Sequence, residues 1–195
     1  QLKDVHYHKG FYLSENESIY DGYQAMLREE LTGLPVIKED GSFCGLLTIK
    51  DLSHFLVNEN VEDLYTSYDN LLHVLKGEEV YRVDDEIIGN LIFAAYRSTT
   101  FMSTIVLEKK HILIVGDRHS VIEYAVNSGV KLIILTGDSY IKEEHVAIAK
   151  QNHVNIIRTP YDTYHVSRML ALTNYIKTMI RIYNPTTFLE TDFVS

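Results

Sequence analysis

The sequence has no tryptophan, a single cysteine, three prolines and no apolar run long enough to cross a bilayer. The lone Cys44 excludes an internal disulfide, and its apolar neighbours Phe43 and Leu46 indicate an inert buried thiol rather than a nucleophile. Basic residues are also few, because 18 Lys and Arg stand against 27 Asp and Glu, which gives a formal net charge of −9. This charge opposes binding to nucleic acid and anionic lipid, so an anionic ligand requires a local basic site.

The chain has the size and composition of a folded protein. Its 195 residues are 46% hydrophobic and 23% charged, which allows one or two domains with a buried core. The stretch from Gln1 to Asp4 does not form a secretion signal, and we expect a cytoplasmic protein. His6 and His8 share one side of an extended lead-in, but no third ligand lies near them in the sequence, and we expect no metal site.

Residues 34–51 organise the first part of the chain. Two short apolar runs, Leu34 to Ile37 and Phe43 to Leu47, flank Glu39-Asp40-Gly41, and this pattern predicts a β-hairpin with a tight turn. A helix follows from Ile49, and Thr48 or Asp51 can cap its free amide groups. An earlier helix is predicted from Ser18, which lies three residues before Asp21 as in a capping box.

Thr48 and Asp51 are compatible with two roles. A hydroxyl three residues before a carboxylate, at a strand-to-helix junction, can cap the helix and do nothing else. The same pair can hold a ribose phosphate, with Thr48 and backbone amides facing the phosphate while Asp51 accepts hydrogen bonds from ribose hydroxyls. Spacing alone leaves both roles open and favours the cap, because such residues are common at helix starts.

The second part of the chain has the pattern of a parallel sheet. Apolar strands are predicted at residues 80–83, 91–95, 105–107, 111–115, 132–136 and 154–157. Helices are predicted at residues 120–127, 142–152 and 162–175. Continuous apolar strands that alternate with helices indicate a largely parallel sheet covered on both faces.

Two loops of this sheet are candidates for a second site. Asp117 and Arg118 follow one strand, and Thr136 and Gly137 follow the next, so both loops lie at the carboxyl edge where ligands often bind. Arg118 can clamp a phosphate while Asp117 or Thr136 fixes its orientation. Alternatively, Asp117 caps a helix, the glycines make turns and Arg118 pairs with Asp138. The sequence has neither a Walker lysine nor a G-x-G-x-x-G run, and this favours the structural interpretation.

Four stretches of the first part carry a resemblance to a known family. They are residues 11–19, the helix that follows to residue 31, Leu34-Pro35-Val36, and Gly45-Leu46-Leu47-Thr48-Ile49-Lys50-Asp51. Together they resemble a cystathionine-β-synthase-type (CBS) domain, a module that works in pairs and commonly binds adenine nucleotides. In that family the hydroxyl and acid of the G-x-x-T-x-x-D pattern touch phosphate and ribose, and these positions here are Thr48 and Asp51.

The resemblance implies a nucleotide site. We expect adenine against apolar groups near Leu34, ribose on Asp51 and phosphate near Thr48 and Lys50, although an isolated lysine at a helix start is more often simply solvated. A second CBS module would contribute residues from its first strand. The full predicted set is Leu34, Pro35, Val36, Thr48, Ile49, Lys50, Asp51, Thr187 and Asp192.

The second part resembles the DRTGG domain. Asp117-Arg118 and Thr136-Gly137 match the motif, with Asp138 in place of the final glycine, and residues 125–135 between them also look like the family. Residues 184–195 resemble the first strand of a second CBS domain. We therefore predict a CBS domain at 1–60, a linker helix at 61–78, a DRTGG-type domain at 79–175 and the start of a second CBS domain at 176–195. The predicted fold class is α/β.

This order of modules resembles the regulatory region of CBS-containing family II inorganic pyrophosphatases. In that family the region lies inside a manganese- or cobalt-dependent hydrolase, which AMP and ADP inhibit and ATP or diadenosine polyphosphates activate. The resemblance implies a nucleotide-regulated homodimer attached to catalytic pyrophosphatase domains.

The chain itself is predicted not to be an enzyme. Catalysis in the family depends on Asp and His clusters that include an Asp-His-His run, and none of the nine histidines lies in such a run. Manganese or cobalt is expected only in the absent catalytic domain. Two other classes stay open: a homodimerisation scaffold without a ligand, and a transferase like the phosphotransacetylases that uses the Arg118 and Thr136 loops.

Overall fold

The computed structural model describes residues 11–58, 62–94 and 98–180. Within these ranges the strands form one three-stranded sheet and one six-stranded sheet, each packed against helices. The α/β fold class predicted from the sequence is confirmed.

The smaller sheet contains the predicted hairpin. The elements in this part are β1 (Leu13–Ser14), α1 (Ile19–Arg28), β2 (Gly33–Ile37), β3 (Phe43–Thr48) and α2 (Ile49–Asn58). β1 pairs parallel to β2, and β2 pairs antiparallel to β3 with Leu34 opposite Leu47. Gly41 has a φ of 80° in the hairpin turn, a conformation that is available to glycine at little cost.

The larger sheet is mostly parallel. Its strands are β4 (Asp63–Ser67), β5 (Glu78–Tyr81), β6 (Glu86–Phe93), β7 (His111–Val115), β8 (Leu132–Leu135) and β9 (Asn155–Arg158). The spatial order is β4-β6-β7-β8-β9-β5, in which the four central strands are parallel and both edge strands are antiparallel to their neighbours. The helices are α3 (Tyr68–Val74), α4 (Ser98–Thr104), α5 (His119–Ser128), α6 (Glu143–Gln151) and α7 (Thr163–Met169).

Helices cover both faces of this sheet, as its apolar strands predict. Alternate residues of a strand point to opposite faces. Leu113 and Val115 therefore pack with α4, α5 and α6, whereas Ile112 and Ile114 pack with α3 and α7. Because both faces of the sheet are buried, its central strands are largely apolar and do not alternate between polar and apolar residues as a half-exposed strand does.

Two predicted elements are different in the structure. Within the predicted linker helix at 61–78, Asp63–Ser67 is strand β4, and its buried Thr66 donates a hydrogen bond to the carbonyl of Thr173 rather than to solvent. The strand predicted at 105–107 is wrong. There the Tyr124 hydroxyl donates to the Ile105 carbonyl (3.1 Å), so a side chain replaces the partner that a neighbouring strand would supply.

The helix predicted at 162–175 is shorter in the structure. α7 ends at Met169. A 3-10 helix follows directly at Leu170–Thr173, and a second one spans Ile176–Thr178. The tightening coincides with a hydrogen bond from the Thr173 hydroxyl to the Leu170 carbonyl at 2.7 Å. The chain turns there toward the smaller sheet.

The segment from residue 170 to residue 180 joins the two parts of the molecule. Its buried Ile176 belongs to the same apolar core as Ile19 and Met26 of α1, and Leu172 packs against that core. The Ile19 amide donates to the Asn174 carbonyl, and the Ile176 amide donates to the Glu17 carbonyl, each at 2.9 Å. The described part of the region predicted to start a second CBS domain therefore contacts the first one.

Asn155 supports the far edge of the larger sheet. It is fully buried, and its amide nitrogen donates to the Asp84 carboxylate (3.0 Å) and the Lys131 carbonyl (2.9 Å). Its side-chain oxygen accepts hydrogen bonds from the Val83 and Asp84 amides at 2.7 and 3.0 Å. The side chain thus satisfies four hydrogen bonds in a place where water cannot replace it.

We expect Asn155→Ala to lower the free energy of unfolding by about 2–4 kcal/mol, because several buried polar groups lose their partner. Asn152→Ala is the matched control, since exposed Asn152 donates one side-chain hydrogen bond to the Val126 carbonyl and should cost about 1 kcal/mol. Urea denaturation followed by circular dichroism measures both. Equal losses in the two variants would contradict the role assigned to Asn155.

Asp84 makes the same region sensitive to acid. Burial alone would raise the pKa of the Asp84 carboxyl, but the Asn155 amide and the Lys131 ammonium (3.0 Å) outweigh it and hold the pKa below its usual value. A lowered folded-state pKa stabilises the fold above the unfolded-state pKa, and this stability is lost as the pH falls through the folded-state value. Urea denaturation at pH 5, 4 and 3 should therefore give a shallower loss of stability for Asp84→Asn than for wild type, whereas parallel curves would count against it.

Candidate functional site

Thr48 and Asp51 form a reciprocal cap at the start of α2. The Thr48 hydroxyl donates to Asp51 Oδ2 at 2.5 Å, and the Asp51 amide donates to Thr48 Oγ1 at 3.1 Å. The Thr48 amide also donates to Asp51 Oδ2 at 3.3 Å. The capping role that spacing favoured is therefore present. These bonds use one carboxylate oxygen, which leaves Oδ1 of Asp51 outside the cap.

The other predicted residues of this site differ in exposure. Leu34 and Val36 are buried in the apolar core behind β2, whereas Pro35 and Lys50 are exposed and Ile49 is half-buried. In the hairpin register Gly33 lies opposite Thr48, so Leu34 is one residue from the cap. Leu34 and Val36 support the backbone beside the cap, and Pro35 offers an exposed apolar surface. Thr187 and Asp192 lie outside the described residues.

A cavity of about 300 Å³ adjoins Leu34 on the side of α1. It is lined by Phe11, Tyr12, Leu13, Glu17, Asp21, Gln24, Ala25, Arg28 and Leu34. Burial raises the pKa of the Glu17 carboxyl, a hydrogen bond from the Ser14 backbone opposes the rise, and the charge of Asp21 adds to it. Two neighbouring carboxyl groups attract hydrogen-bond donors and repel phosphate. The sequence did not predict this cavity, because Glu17 and Asp21 have the ordinary pattern of a helix start.

Asp21 connects this cavity to the second part of the molecule. Its Oδ2 accepts a hydrogen bond from the Ser18 hydroxyl at 2.6 Å, and its Oδ1 lies 2.9 Å from Nε2 of His73 on α3. One carboxylate therefore holds the N-cap residue of α1, lines the cavity and contacts the larger domain.

Lys177 forms a second connection. Its ammonium donates to Asn16 Oδ1 at 2.8 Å and lies 4.5 Å from the ring centroid of Tyr175 and 5.1 Å from that of Tyr65. Asn16 in turn donates to Glu39 in the hairpin turn at 2.6 Å. The loop between β1 and α1 is thereby fixed to β4 and to the segment that follows the larger domain.

The second candidate site is closed by hydrogen bonds between its loops. Thr136 is buried with its hydroxyl 3.0 Å from that of Thr163, and the Gly137 amide donates to the Tyr161 carbonyl at 2.8 Å. Gly137 has a φ of 67°, as its predicted turn requires. These contacts bind the loop after β8 to the loop after β9.

Asp117 and Arg118 lie on the neighbouring loop. The predicted cap by Asp117 is wrong, because Arg118 occupies the N-cap position of α5 and that helix start has no side-chain cap. Asp117 instead lies beside His119, with 3.4 Å between its Oδ1 and Nε2. The four predicted residues are therefore divided between two sets of contacts.

The described ranges also bear on membrane insertion and metal binding. Residues 11–58, 62–94 and 98–180 contain no helix that is both long and apolar enough to span a membrane. The same ranges contain no group of three or more His, Cys, Asp or Glu side chains arranged to hold a metal ion.

Comparison with known families identifies both parts of the chain. The model of the DRTGG domain matches residues 70–173, and that of the CBS domain matches residues 2–58. The chain is 24% identical over 178 residues to a cobalt-dependent inorganic pyrophosphatase of Clostridium perfringens, a match that covers 88% of this chain and 32% of that protein. It is 21% identical, with the same coverage, to a probable manganese-dependent inorganic pyrophosphatase of Thermotoga maritima. The chain thus spans about a third of the length of these relatives.

A solved structure has the same fold. The CBS and DRTGG domains of the regulatory region of Clostridium perfringens pyrophosphatase, complexed with the activator diadenosine tetraphosphate, superpose with a TM-score of 0.87 at 22% identity. The match covers 98% of this chain and 85% of that one. The chain belongs to the DRTGG domain family, carries a CBS domain before the DRTGG domain, and is homologous to the corresponding part of the cobalt- and manganese-dependent inorganic pyrophosphatases.

Proposed function

We propose that this chain is the adenine-nucleotide-binding regulatory region of an inorganic pyrophosphatase. In this proposal it controls the hydrolysis of diphosphate to phosphate by a catalytic domain of the same polypeptide and catalyses no reaction itself. The observation that carries the proposal is the Thr48–Asp51 pair at the start of α2, in a CBS domain joined to a DRTGG domain. Manganese or cobalt would belong to the catalytic domain.

The start of α2 suits the phosphate and ribose of a nucleotide. Free amide groups and the helix dipole favour an anion at this end, and exposed Lys50 adds a positive charge to a chain that is acidic overall. Oδ1 of Asp51 is left to accept a hydrogen bond from a ribose hydroxyl while Oδ2 keeps the cap. The cap and the ligand site are therefore compatible in the same two residues.

The cavity beside Leu34 and α1 suits the adenosine end of the ligand. Glu17 and Asp21 can accept hydrogen bonds from the adenine amino group, and Tyr12 and Leu34 supply apolar surface beside them. Two carboxyl groups outnumber the one basic residue, Arg28, in the lining, so we place the phosphate end of the ligand toward Lys50 and Thr48. Thr187 and Asp192 of the second CBS module would complete the site.

Regulation requires that the ligand bind two arrangements of the protein with different affinity. We propose that AMP and ADP favour an inhibited arrangement, that ATP or a diadenosine polyphosphate favours an active one, and that the arrangements form in a homodimer. The contact of Asp21 with His73 leads from α1 to α3 of the larger domain. The contact of Asn16 with Lys177 leads to the segment that follows the DRTGG domain, and Lys177 in turn lies over the ring of Tyr65 in β4. These contacts are the proposed route of the signal.

Isothermal titration of the purified protein with AMP tests the site. We expect Asp51→Ala to weaken binding at least tenfold, because a hydrogen bond to a charged group contributes about 1.5–3 kcal/mol. Ser67→Ala is the control, since it removes the comparable hydroxyl cap of α3 and should keep wild-type affinity. Equal affinity in all three proteins would remove Asp51 from the site, and a wild-type protein that binds no adenine nucleotide would favour the ligand-free scaffold.

Hydrogen exchange tests the route of the signal. In wild type we expect AMP to change amide exchange in residues 62–74, which contain β4 and α3. Lys177→Met keeps the apolar stem but loses the bond to Asn16, so it should bind AMP within about threefold of wild type while this exchange response shrinks. Lys150→Met is the control, because the Lys150 ammonium lies over the Tyr81 ring within the DRTGG domain, 5.8 Å from its centroid, and away from the proposed route. An unchanged response in Lys177→Met would exclude this route.

A further inference from the structure

Two histidines of the DRTGG domain have buried nitrogen atoms without partners. His119 is the first residue of α5, His145 lies in α6, and their ring centroids are 6.1 Å apart. Nδ1 of each ring is buried and has no hydrogen-bond partner in the described structure. The side chain of His145 is only 3% exposed, whereas that of His119 is 39% exposed.

Such atoms require an explanation. A buried nitrogen without a partner destabilises a fold, and most such groups in native proteins turn out to be paired with protein, water or an ion. Here two of them lie in adjacent rings. One shared occupant would satisfy both.

Nε2, the second nitrogen of each ring, lies near a carboxylate. Nε2 of His119 is 3.4 Å from Asp117, and Nε2 of His145 is 3.9 Å from Glu144. A carboxylate that accepts a hydrogen bond from the second nitrogen of a metal-binding imidazole orients the ring and strengthens the ligand. A small approach of Asp117 to His119 would form such a bond, whereas Glu144 contributes charge at a longer distance. The two carboxylates also place negative charge near a cation bound by both rings. Lys142 lies 3.2 Å from Glu144 and neutralises part of this charge.

We propose that His119 and His145 bind one divalent transition-metal ion between α5 and α6 through their Nδ1 atoms. Water completes the coordination shell on the side of the partly exposed His119. The site has two protein ligands, which is consistent with the absence of any larger ligand group in the described ranges.

The ring separation agrees with this assignment. With a zinc–nitrogen distance of about 2.0–2.1 Å, two imidazoles on one ion have centroids roughly 5–6.4 Å apart. The observed 6.1 Å falls within this range, so a small approach of the rings suffices.

The ligand type selects the ion. Imidazole nitrogen suits Zn²⁺, Ni²⁺, Cu²⁺ and Co²⁺, whereas Mg²⁺ and Mn²⁺ prefer oxygen ligands. Since α5 follows β7 and α6 follows β8, the ion would fix two helices of one face of the sheet to each other. It would stabilise the DRTGG domain without contact with the Thr48–Asp51 site.

Titration of EDTA-treated protein with Zn²⁺, followed by calorimetry and thermal unfolding, tests the proposal. We expect one ion per chain and a higher unfolding temperature, together with a visible absorption band when Co²⁺ replaces Zn²⁺. His119→Gln and His145→Gln should abolish saturable binding, and Asp117→Asn should weaken it about tenfold. His54→Gln on α2 is the control and should bind like wild type.

The outcomes separate the assignments. His145→Gln can impair folding because the ring is buried, so the more exposed His119→Gln carries the decisive measurement. Wild-type binding by His119→Gln would place the ion elsewhere and overturn the proposal. The absence of saturable heat with Zn²⁺, Ni²⁺ and Co²⁺ on the wild-type protein would overturn it as well. None of these results depends on whether the protein binds AMP.

Discussion

The structure depends on the return of the chain, after the DRTGG domain, into the core of the CBS domain. Ile176 is fully buried beside Ile19 and Met26, and backbone hydrogen bonds fix the same segment to the residues that precede α1. The three-stranded sheet and two helices of residues 11–58 are too small to bury much apolar surface by themselves. The two domains therefore share a core. A change in the loop before α1 would alter the packing of both domains.

This shared core gives the proposed regulation a physical basis. Asp21 accepts a hydrogen bond from Ser18, the N-cap residue of α1, and it also lines the cavity beside α1 and contacts His73. A ligand that moved this carboxylate would alter the start of a helix and an interdomain contact together. Packed cores respond to such shifts by changing between discrete arrangements, because close-packed side chains do not deform continuously.

The sequence predicted most of the fold because the signals were local. The turn residues around Gly41 predict the hairpin, and the continuous apolar runs predict the strands of the parallel sheet. β4 was missed because its buried Thr66 donates a hydrogen bond to Thr173, which lies more than a hundred residues later in the chain. No local sequence pattern predicts such a distant contact. The acidic cavity and the paired imidazoles were missed for the same reason, since their residues meet only in the folded chain. The Thr48–Asp51 cap was predicted because residues three apart at a helix start are close enough to bond to each other, so their spacing in the sequence is enough to predict it.

The two antiparallel edge strands have a consequence for how the larger domain is made. β4 and β5 precede the parallel strands in sequence but lie at opposite ends of the sheet, and β5 pairs with β9, the last strand of this sheet along the described chain. The nascent domain must therefore wait on the ribosome with β5 unpaired until residue 158 has emerged. Pairings of such long sequence separation are slow to form. Over that interval β5 is an unpaired strand that chaperones or strands of other nascent chains can bind.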